Sequence, residues 1–125
     1  MTIAQALAQI DTLVPNTFST SEKLRWLSEA EGHVVEEILK AQQGAESVSF
    51  SGYDDTTDTA AVLLAPPPYD SLYRFYVEAQ MDYANGEVTR CNNARSEWNN
   101  AFAAYQAYCI RTRRPLKTQS ALHLC

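Results

Sequence analysis

Over residues 70–111, apolar side chains return at intervals of three and four positions, which confines this part of the chain to helical structure. A single straight helix of that length would measure about 60 Å, too long for one small domain. The first set of apolar residues is Leu72, Tyr76, Ala79 and Tyr83, and the second is Cys91, Ala94, Trp98, Ala101, Tyr105 and Tyr108. The two sets are out of phase by one residue, so we predict two helices with a break near Asn85-Gly86 or near Asn92-Asn93.

Two amphipathic helices precede this region, one over residues 2–14 and one from residue 19 to about residue 43. Each begins with a hydroxyl side chain that is followed three residues later by Glu or Gln, the pattern of a capping box: Thr2 with Gln5, and Ser19 with Glu22. Asp70, which follows three prolines, is the expected N-cap of the third helix.

These patterns predict an all-α fold, a small antiparallel helical bundle of four to five helices with one long irregular loop over residues 44–69. Residues 1–114 form a single domain in this interpretation, and residues 115–125 form an extended C-terminal arm. Tyr73 and Phe75 fall outside the apolar stripe of their helix, and we expect this second face to pack against another subunit. The predicted core consists of Leu24, Leu27, Val34, Ile38, Tyr76, Tyr83, Trp98, Phe102 and Tyr105.

The loop is too long to be a simple connection between two helices. It carries Phe50, Tyr53, Leu63 and Leu64, which are apolar side chains that need a surface to cover them. We predict that these four residues contact a neighbouring subunit or another protein. The alternative is that the loop folds back over its own helices, where it could contain a short strand or hairpin.

Charge is distributed unevenly along this 125-residue chain, whose net charge is −5. All fifteen acidic residues lie at or before Glu97, and an acidic body of this kind excludes a bulk nucleic-acid coat. The basic residues that follow without any acid are Arg111, Arg113, Arg114 and Lys117. Helix capping uses one or two of them, so we predict that this basic tail also binds a partner.

The sequence offers no constellation for catalysis or metal binding. His33 and His123 are the only histidines, and neither has a glutamate three residues before it, as the Glu-x-x-His pairs of helical metal sites require. Cys91 and Cys109 lie eighteen residues apart on one helical face, which indicates structural core positions. We therefore expect no enzyme activity, no metal and no cofactor.

Two acidic segments have simpler explanations than a metal site. Residues 54–58 lack the glycine and the final glutamate of a calcium loop and are typical of a polar turn. The acidic residues of the second helix are predicted to form a solvated face: Glu29, Glu31, Glu36 and Glu37.

Neither a membrane span nor a targeting segment is expected. The longest apolar run, residues 60–65, is far too short to cross a bilayer, and no Lys or Arg precedes Lys23. Three widely spaced cysteines without a Cys-x-x-Cys pair favour a reducing, intracellular compartment.

Blocks of helix-face and turn residues give the chain a recognisable order: Ala6-Leu7, Ile10-Asp11, Pro15-Asn16, Lys23-Leu24-Arg25-Trp26-Leu27, Leu63-Leu64-Ala65-Pro66, Pro68-Tyr69-Asp70, Leu72-Tyr73, Glu78-Ala79-Gln80, Tyr83-Ala84-Asn85-Gly86-Glu87 and Asn92-Asn93. In this order the chain resembles the head–tail connector (adaptor) proteins of tailed phages and prophages, over about residues 4–115. The resemblance implies an all-helical subunit that forms a homo-oligomeric ring between the portal and the tail-side head-completion proteins. It also implies a place in the virion, assembled in the cytoplasm of the bacterial host, with DNA passing through the ring and no catalytic residues.

Within such a ring, the basic tail would meet the acidic face of a neighbouring subunit or line the DNA channel, and we favour the subunit contact. The alternative function is a small helical nucleic-acid-binding regulator, since the first two helices resemble a helix-turn-helix. Against it, the second helix is acidic where a recognition helix carries Arg, Asn or Gln.

Overall fold

The computed structural model of the protein describes residues 1–39 and 50–112. Their helices are α1 (Ile3–Leu13), α2 (Thr20–Val34), α3 (Ser71–Ala84) and α4 (Val88–Thr112), and α2 continues into a π-helical turn over Val35–Leu39. The described ranges contain no β-strand. Where a short strand or hairpin was possible in the loop, the described residues make one isolated antiparallel bridge, between Thr2 and Val62. The all-α prediction is confirmed. In the described ranges, no helix combines the length and the apolar character that a membrane span needs.

The first two helices begin where their sequences predict. Thr2 Oγ1 accepts a hydrogen bond from the N–H of Gln5 at 3.1 Å, and Gln5 Oε1 accepts from the N–H of Thr2 at 2.9 Å, so this capping box is complete. Ser19 Oγ accepts from the N–H of Glu22 at 3.1 Å and caps α2. The predicted end of the second helix, near residue 43, lies outside the described residues.

A side-chain ion pair joins α1 to α2. Lys23, which is only 5% exposed, places Nζ 2.5 Å from Oδ1 of Asp11. The Asn16 side chain donates to the same Asp11 oxygen at 3.2 Å and to the Val14 carbonyl at 2.8 Å. These bonds close the short connection between the two helices.

The break between α3 and α4 falls at the first of the two predicted positions. The N–H of Asn85 donates to the carbonyl of Met81 at 3.0 Å, and Gly86 follows with φ of 77°. This left-handed conformation is open to glycine but strained for other residues. α4 begins at Val88, and so short a turn makes α3 and α4 antiparallel neighbours.

Asp70 is the N-cap residue of α3, as predicted, but its side chain does not cap the helix. Asp70 has φ of −71° and ψ of −6°, already close to helical, and its side chain makes no capping hydrogen bond. Backbone bonds begin the helix instead, because the N–H of Leu72 and the N–H of Tyr73 donate to the carbonyls of Tyr69 and Asp70, both at 3.3 Å. A side-chain cap needs the extended conformation that this turn does not have.

α3 lies at the centre of the bundle and packs against α1, α2 and α4. The predicted core residues divide into buried and partly buried sets: Leu24, Leu27, Val34, Ile38 and Tyr105 are buried, and Tyr76, Trp98 and Phe102 pack partly buried against them.

One predicted core residue, Tyr83, is wrong, since 70% of it is exposed. The buried stripe of α3 steps by four residues through Tyr73, Val77 and Met81, all 0–1% exposed. The sequence analysis assigned Tyr73 to a face covered by another subunit, but the other helices of the same chain cover it.

Candidate functional site

The carboxylate of Glu31 is completely buried at the junction of α2, α3 and the loop. Its Oε2 accepts hydrogen bonds from the Tyr53 hydroxyl and from the N–H of Leu64, both at 2.9 Å. Its Oε1 accepts from the Tyr73 hydroxyl at 2.5 Å. No Lys or Arg nitrogen lies within 4 Å of this carboxylate in residues 1–39 and 50–112. Hydrogen bonds rather than an ion pair therefore compensate for the water that it loses.

Sequence analysis missed this role, because Glu31 was assigned to a solvated face. That assignment is right for Glu29 and Glu37, whose side chains are 40% and 55% exposed, and wrong for Glu31. A signal was present in the spacing, since Glu31 lies four residues after Leu27 and three before Val34, on the apolar stripe of α2.

The two phenols bound to Glu31 are held as hydrogen-bond donors. Burial raises the pKa of Tyr73 and of Tyr53 well above the ordinary tyrosine value, and the neighbouring Glu31 raises both further. Both hydroxyls therefore keep their protons across the ordinary pH range. The Tyr73 oxygen also accepts from the N–H of Ala65 at 2.9 Å, so one phenol connects α3, α2 and the loop.

The described part of the loop folds back over the helices of its own chain. Leu63 is 2% exposed and donates its N–H to the Met1 carbonyl at 2.9 Å. The Phe50 and Tyr53 rings pack edge to face with centroids 4.9 Å apart. Leu64 is the most exposed of the four predicted contact residues, at 44%. Their contact with another subunit stays a prediction, and the structure leaves Leu64 best placed for it.

Residues 54–58 form a polar turn beside the N-terminal end of α2. Asp54 Oδ1 accepts from the hydroxyl and from the N–H of Thr56, at 2.6 and 2.9 Å, and these bonds hold the pKa of Asp54 below its usual value. Asp55 Oδ1 accepts from the Ser21 hydroxyl at 2.7 Å. Within the described ranges, no three His, Cys, Asp or Glu side chains are grouped to hold a metal ion.

Partly buried aromatic rings cover the opposite side of α2. Trp98 lies against Tyr76 and Phe102, with centroid separations of 5.0 and 4.9 Å, and 6.0 Å from His33. The Tyr76 hydroxyl donates to Glu29 Oε1 at 3.0 Å. Because these rings contact one another, they act as packing between α2, α3 and α4 rather than as a cage around a ligand.

A shallow cleft of about 610 Å³ opens beside the turn between α3 and α4, and we call it the α3–α4 cleft. Tyr83 and Val88, which are 70% and 67% exposed, are among the residues that line it. Arg95 adjoins both this cleft and a second cleft of about 340 Å³ next to Trp98. No carboxylate oxygen of the described residues lies within 4 Å of the Arg95 guanidinium. The residues that line the α3–α4 cleft are Tyr83, Ala84, Gly86, Val88, Cys91, Asn92 and Arg95.

The basic tail is described only at its first residue. Arg111 is exposed in the last turn of α4, whereas Arg113, Arg114 and Lys117 lie outside the described residues. Cys91 and Cys109 are buried, at 4% and 0% exposed, in agreement with their predicted core positions.

Comparison of the chain with protein-family models, with curated proteins and with solved structures found no match. Glu31 holds the loop on the bundle, and neither of the clefts described above is lined by it. Among the described residues, the accessible features include the exposed apolar side chains and Arg95 of the α3–α4 cleft, which has no described carboxylate within 4 Å; such features are suited to binding a protein.

Proposed function

We propose that the protein is a structural subunit of a tailed-phage or prophage particle, a head–tail connector that forms a ring between the portal and the tail-side proteins. The observation that carries this proposal is the placement of its exposed apolar side chains. Leu64 lies beside Glu31, which also binds the hydroxyl of Tyr73 in the first turn of α3, whereas Tyr83 and Val88 lie at the far end of α3. Val62 pairs with Thr2 at the start of α1. Apolar surface at two ends of one protomer is what a subunit with neighbours on both sides requires.

The interior of the protomer supports the same proposal. The buried polar side chains of the Glu31 cluster bind one another and fix the loop, which leaves them unavailable to a substrate. A protomer that is rigid before assembly loses less conformational freedom when it binds its neighbours. The all-helical architecture also matches the subunit that the resemblance implies.

The charge on α2 weighs against the alternative, a nucleic-acid-binding regulator. Arg25 is engaged by Glu22 and by Glu29, with nitrogen–oxygen distances of 2.5 and 3.4 Å. His33 Nδ1 lies 2.6 Å from Glu37 Oε2. A helix whose exposed positive groups are already paired with carboxylates offers little attraction to phosphates.

The proposal is tested in a phage or inducible prophage that carries the gene. Inactivation should produce heads that fail to join tails in electron micrographs, and a plasmid copy of the wild-type gene should restore complete particles. Mass spectrometry of purified virions should detect the protein in several copies per particle. Normal virions that lack the protein would contradict the proposal, and a sequence-specific shift of DNA in gels would favour the regulator instead.

A further inference from the structure

We infer that Asn85, in the turn between α3 and α4, is a site of spontaneous covalent modification, at which the side-chain amide is lost through a cyclic imide formed with Gly86. The two reacting residues are adjacent in the sequence. Both are exposed to solvent, and they lie between the end of α3 at Ala84 and the start of α4 at Val88. This inference is independent of the proposed function, because it concerns the chemistry of the turn alone.

The reaction requires only water. The backbone nitrogen of Gly86 attacks Cγ of Asn85, and the new bond closes a five-membered imide ring. The bond between Cγ and Nδ2 breaks, and Nδ2 leaves as ammonia with the proton that the Gly86 nitrogen gives up. Because both reactants belong to one dipeptide, the attack is intramolecular and avoids the entropic cost of bringing them together. Water then opens the ring at either carbonyl carbon, which gives aspartate or isoaspartate.

The surroundings of Gly86 leave room for this attack. Glycine has no side chain beside the attacking nitrogen, and a Cβ built at Gly86 would meet no atom within 4 Å. No hydrogen bond from residues 1–39 and 50–112 holds the side-chain amide of Asn85. The amide is therefore free to turn towards the main chain, and water can reach the ring that forms.

The other described asparagines lack this combination. Asn16 is followed by threonine, and its side chain makes three hydrogen bonds. The remaining four lie inside α4, where each is followed by asparagine or alanine: Asn92, Asn93, Asn99 and Asn100. Inside a helix, the N–H of the following residue donates to a carbonyl four residues back, which holds the attacking nitrogen in place. We therefore expect Asn85 to react first.

Backbone hydrogen bonds of the turn set the pace of the reaction. The N–H of Gly86 donates to the Tyr83 carbonyl at 3.1 Å, and the N–H of Glu87 donates to the Asp82 carbonyl at 2.9 Å. The first of these bonds must break before the Gly86 nitrogen can attack. Opening an exposed turn costs less free energy than unfolding the whole domain, so the folded protein should react, although more slowly than the unfolded chain.

The products change both the charge and the geometry of the turn. Either product adds a carboxylate within three residues of Asp82 and of Glu87 in the sequence. The negative charge of Glu87 already contributes to the raised pKa of Asp82, so a further negative charge here is unfavourable. Isoaspartate also adds a carbon atom to the main chain where α3 ends. The modified protein should therefore unfold at a lower temperature.

The test is to age the folded, full-length protein for several weeks at mildly alkaline pH and then to map its peptides by mass spectrometry. The peptide that contains Asn85 should lose its amide and appear as two acidic forms of equal mass. The isoaspartate form should accept a methyl group from protein isoaspartate methyltransferase. Peptides that contain the asparagines of α4 are internal controls and should keep their amides.

Two variants separate the modification from general ageing. Asn85→Gln lengthens the side chain and disfavours the ring, so this variant should keep its amide, and its melting temperature should be the same before and after ageing. Gly86→Ala places a methyl group beside the attacking nitrogen. Because this substitution also strains the turn, its rate is compared with that of the wild type in urea, where both chains are unfolded and Gly86→Ala should react more slowly.

Two results would overturn the inference. If Asn85 keeps its amide in the folded protein while the same residue loses it in urea, the hydrogen bonds of the turn protect it and the folded protein has no such site. If the asparagines of α4 lose their amides as fast as Asn85 does, the turn has no special reactivity.

Discussion

Two carboxylates of the described residues are buried, and their surroundings differ. Glu31, 0% exposed, accepts three hydrogen bonds from Tyr53, Leu64 and Tyr73. Asp82, at the far end of α3, is 6% exposed, and its side chain accepts no hydrogen bond from the described residues. Burial raises the pKa of Asp82, and the positive charge of Arg90 offsets part of this effect.

The contrast separates a buried site whose polar groups are hydrogen-bonded from a surface whose apolar side chains are left exposed. Around Glu31 every described polar partner is satisfied, so this end of α3 holds the loop in one arrangement. Around the α3–α4 turn, a poorly solvated carboxylate lies beside the exposed side chains of Tyr83 and Val88. The first region maintains the protomer, and the second has the composition of a surface that a neighbour covers.

The largest expected effect comes from removing the Glu31 carboxylate. Glu31→Ala leaves the buried Tyr73 hydroxyl without its acceptor, together with the partly buried Tyr53 hydroxyl and the N–H of Leu64, so we expect a loss of about 3 kcal/mol in the free energy of unfolding. Urea denaturation followed by circular dichroism measures it. Glu37→Ala, on the same helix with its side chain 55% exposed, is the control and should change stability by less than about 0.5 kcal/mol. Equal effects of the two substitutions would contradict the stabilising role of the buried Glu31 carboxylate.

Within the Glu31 region, the two phenols should contribute unequally. Tyr73→Phe deprives both Glu31 and the N–H of Ala65 of a partner in a fully buried position, which should cost about 2 kcal/mol. Tyr53 is only partly buried, so water can replace part of its hydrogen bond and Tyr53→Phe should cost about 0.5–1 kcal/mol. Chemical denaturation of both variants gives the comparison, and a larger loss for Tyr53→Phe would contradict it.

The helices themselves were predictable because their signals are local. The capping box of Thr2 and Gln5 and the break at Gly86 depend on residues within one or two turns, and both agree with the structure. Burial depends on elements distant in sequence and was harder to predict. Glu31 is a core residue because Tyr53 and Tyr73, 22 and 42 residues away, supply its donors.

The same limit explains the error at Tyr83. Tyr83 follows Leu72 at a spacing that matches the helical period. Leu72 is buried and Tyr83 is exposed only because of where the neighbouring helices lie. For the candidate surfaces, sequence analysis proposed Leu64, which is exposed and whose contact with a partner stays a prediction, and the basic tail, most of which lies outside the described residues. It did not identify the α3–α4 cleft, which forms only when Arg95 and Tyr83 meet across two helices.

A helical glycine follows Glu31 and another glycine lies in the α3–α4 turn, and the two should respond to alanine with opposite signs. A Cβ built on Gly32 or on Gly86 meets no atom within 4 Å, so neither alanine would clash with a neighbour. The backbone conformation at each position therefore determines the sign of the effect on stability. Gly32 is helical, and Gly32→Ala should stabilise by about 0.5–1 kcal/mol. Gly86 has φ of 77°, and Gly86→Ala should destabilise by about 1 kcal/mol. Thermal unfolding of both variants gives the sign of each change in melting temperature. A stabilised Gly86→Ala variant would mean that the turn is not held in this conformation.

The smallest expected effect, and the one with a pH signature, is at Asp82. Its pKa in the folded state is raised from 3.8, so above pH 3.8 the folded state holds the proton longer than the unfolded chain does. Ionisation therefore opposes folding as pH rises through that window. Asp82→Asn removes the charge, and solvent screening near the surface keeps the expected gain at neutral pH to roughly 0.5 kcal/mol.

Below pH 3.8 the carboxyl is protonated in both states, so the stabilities of Asp82→Asn and wild type should converge there. Asp54 provides the opposite control, because hydrogen bonds from Thr56 lower its pKa and its charge supports the fold at neutral pH. Asp54→Asn should therefore be destabilising at neutral pH, and its deficit should fade as the solution is acidified. Urea denaturation of both variants at several pH values separates these trends. If Asp82→Asn raised the free energy of unfolding by the same amount at every pH, the effect would come from packing rather than from the charge. Asp82 would then no longer serve as the carboxylate without hydrogen bonds that is compared with Glu31.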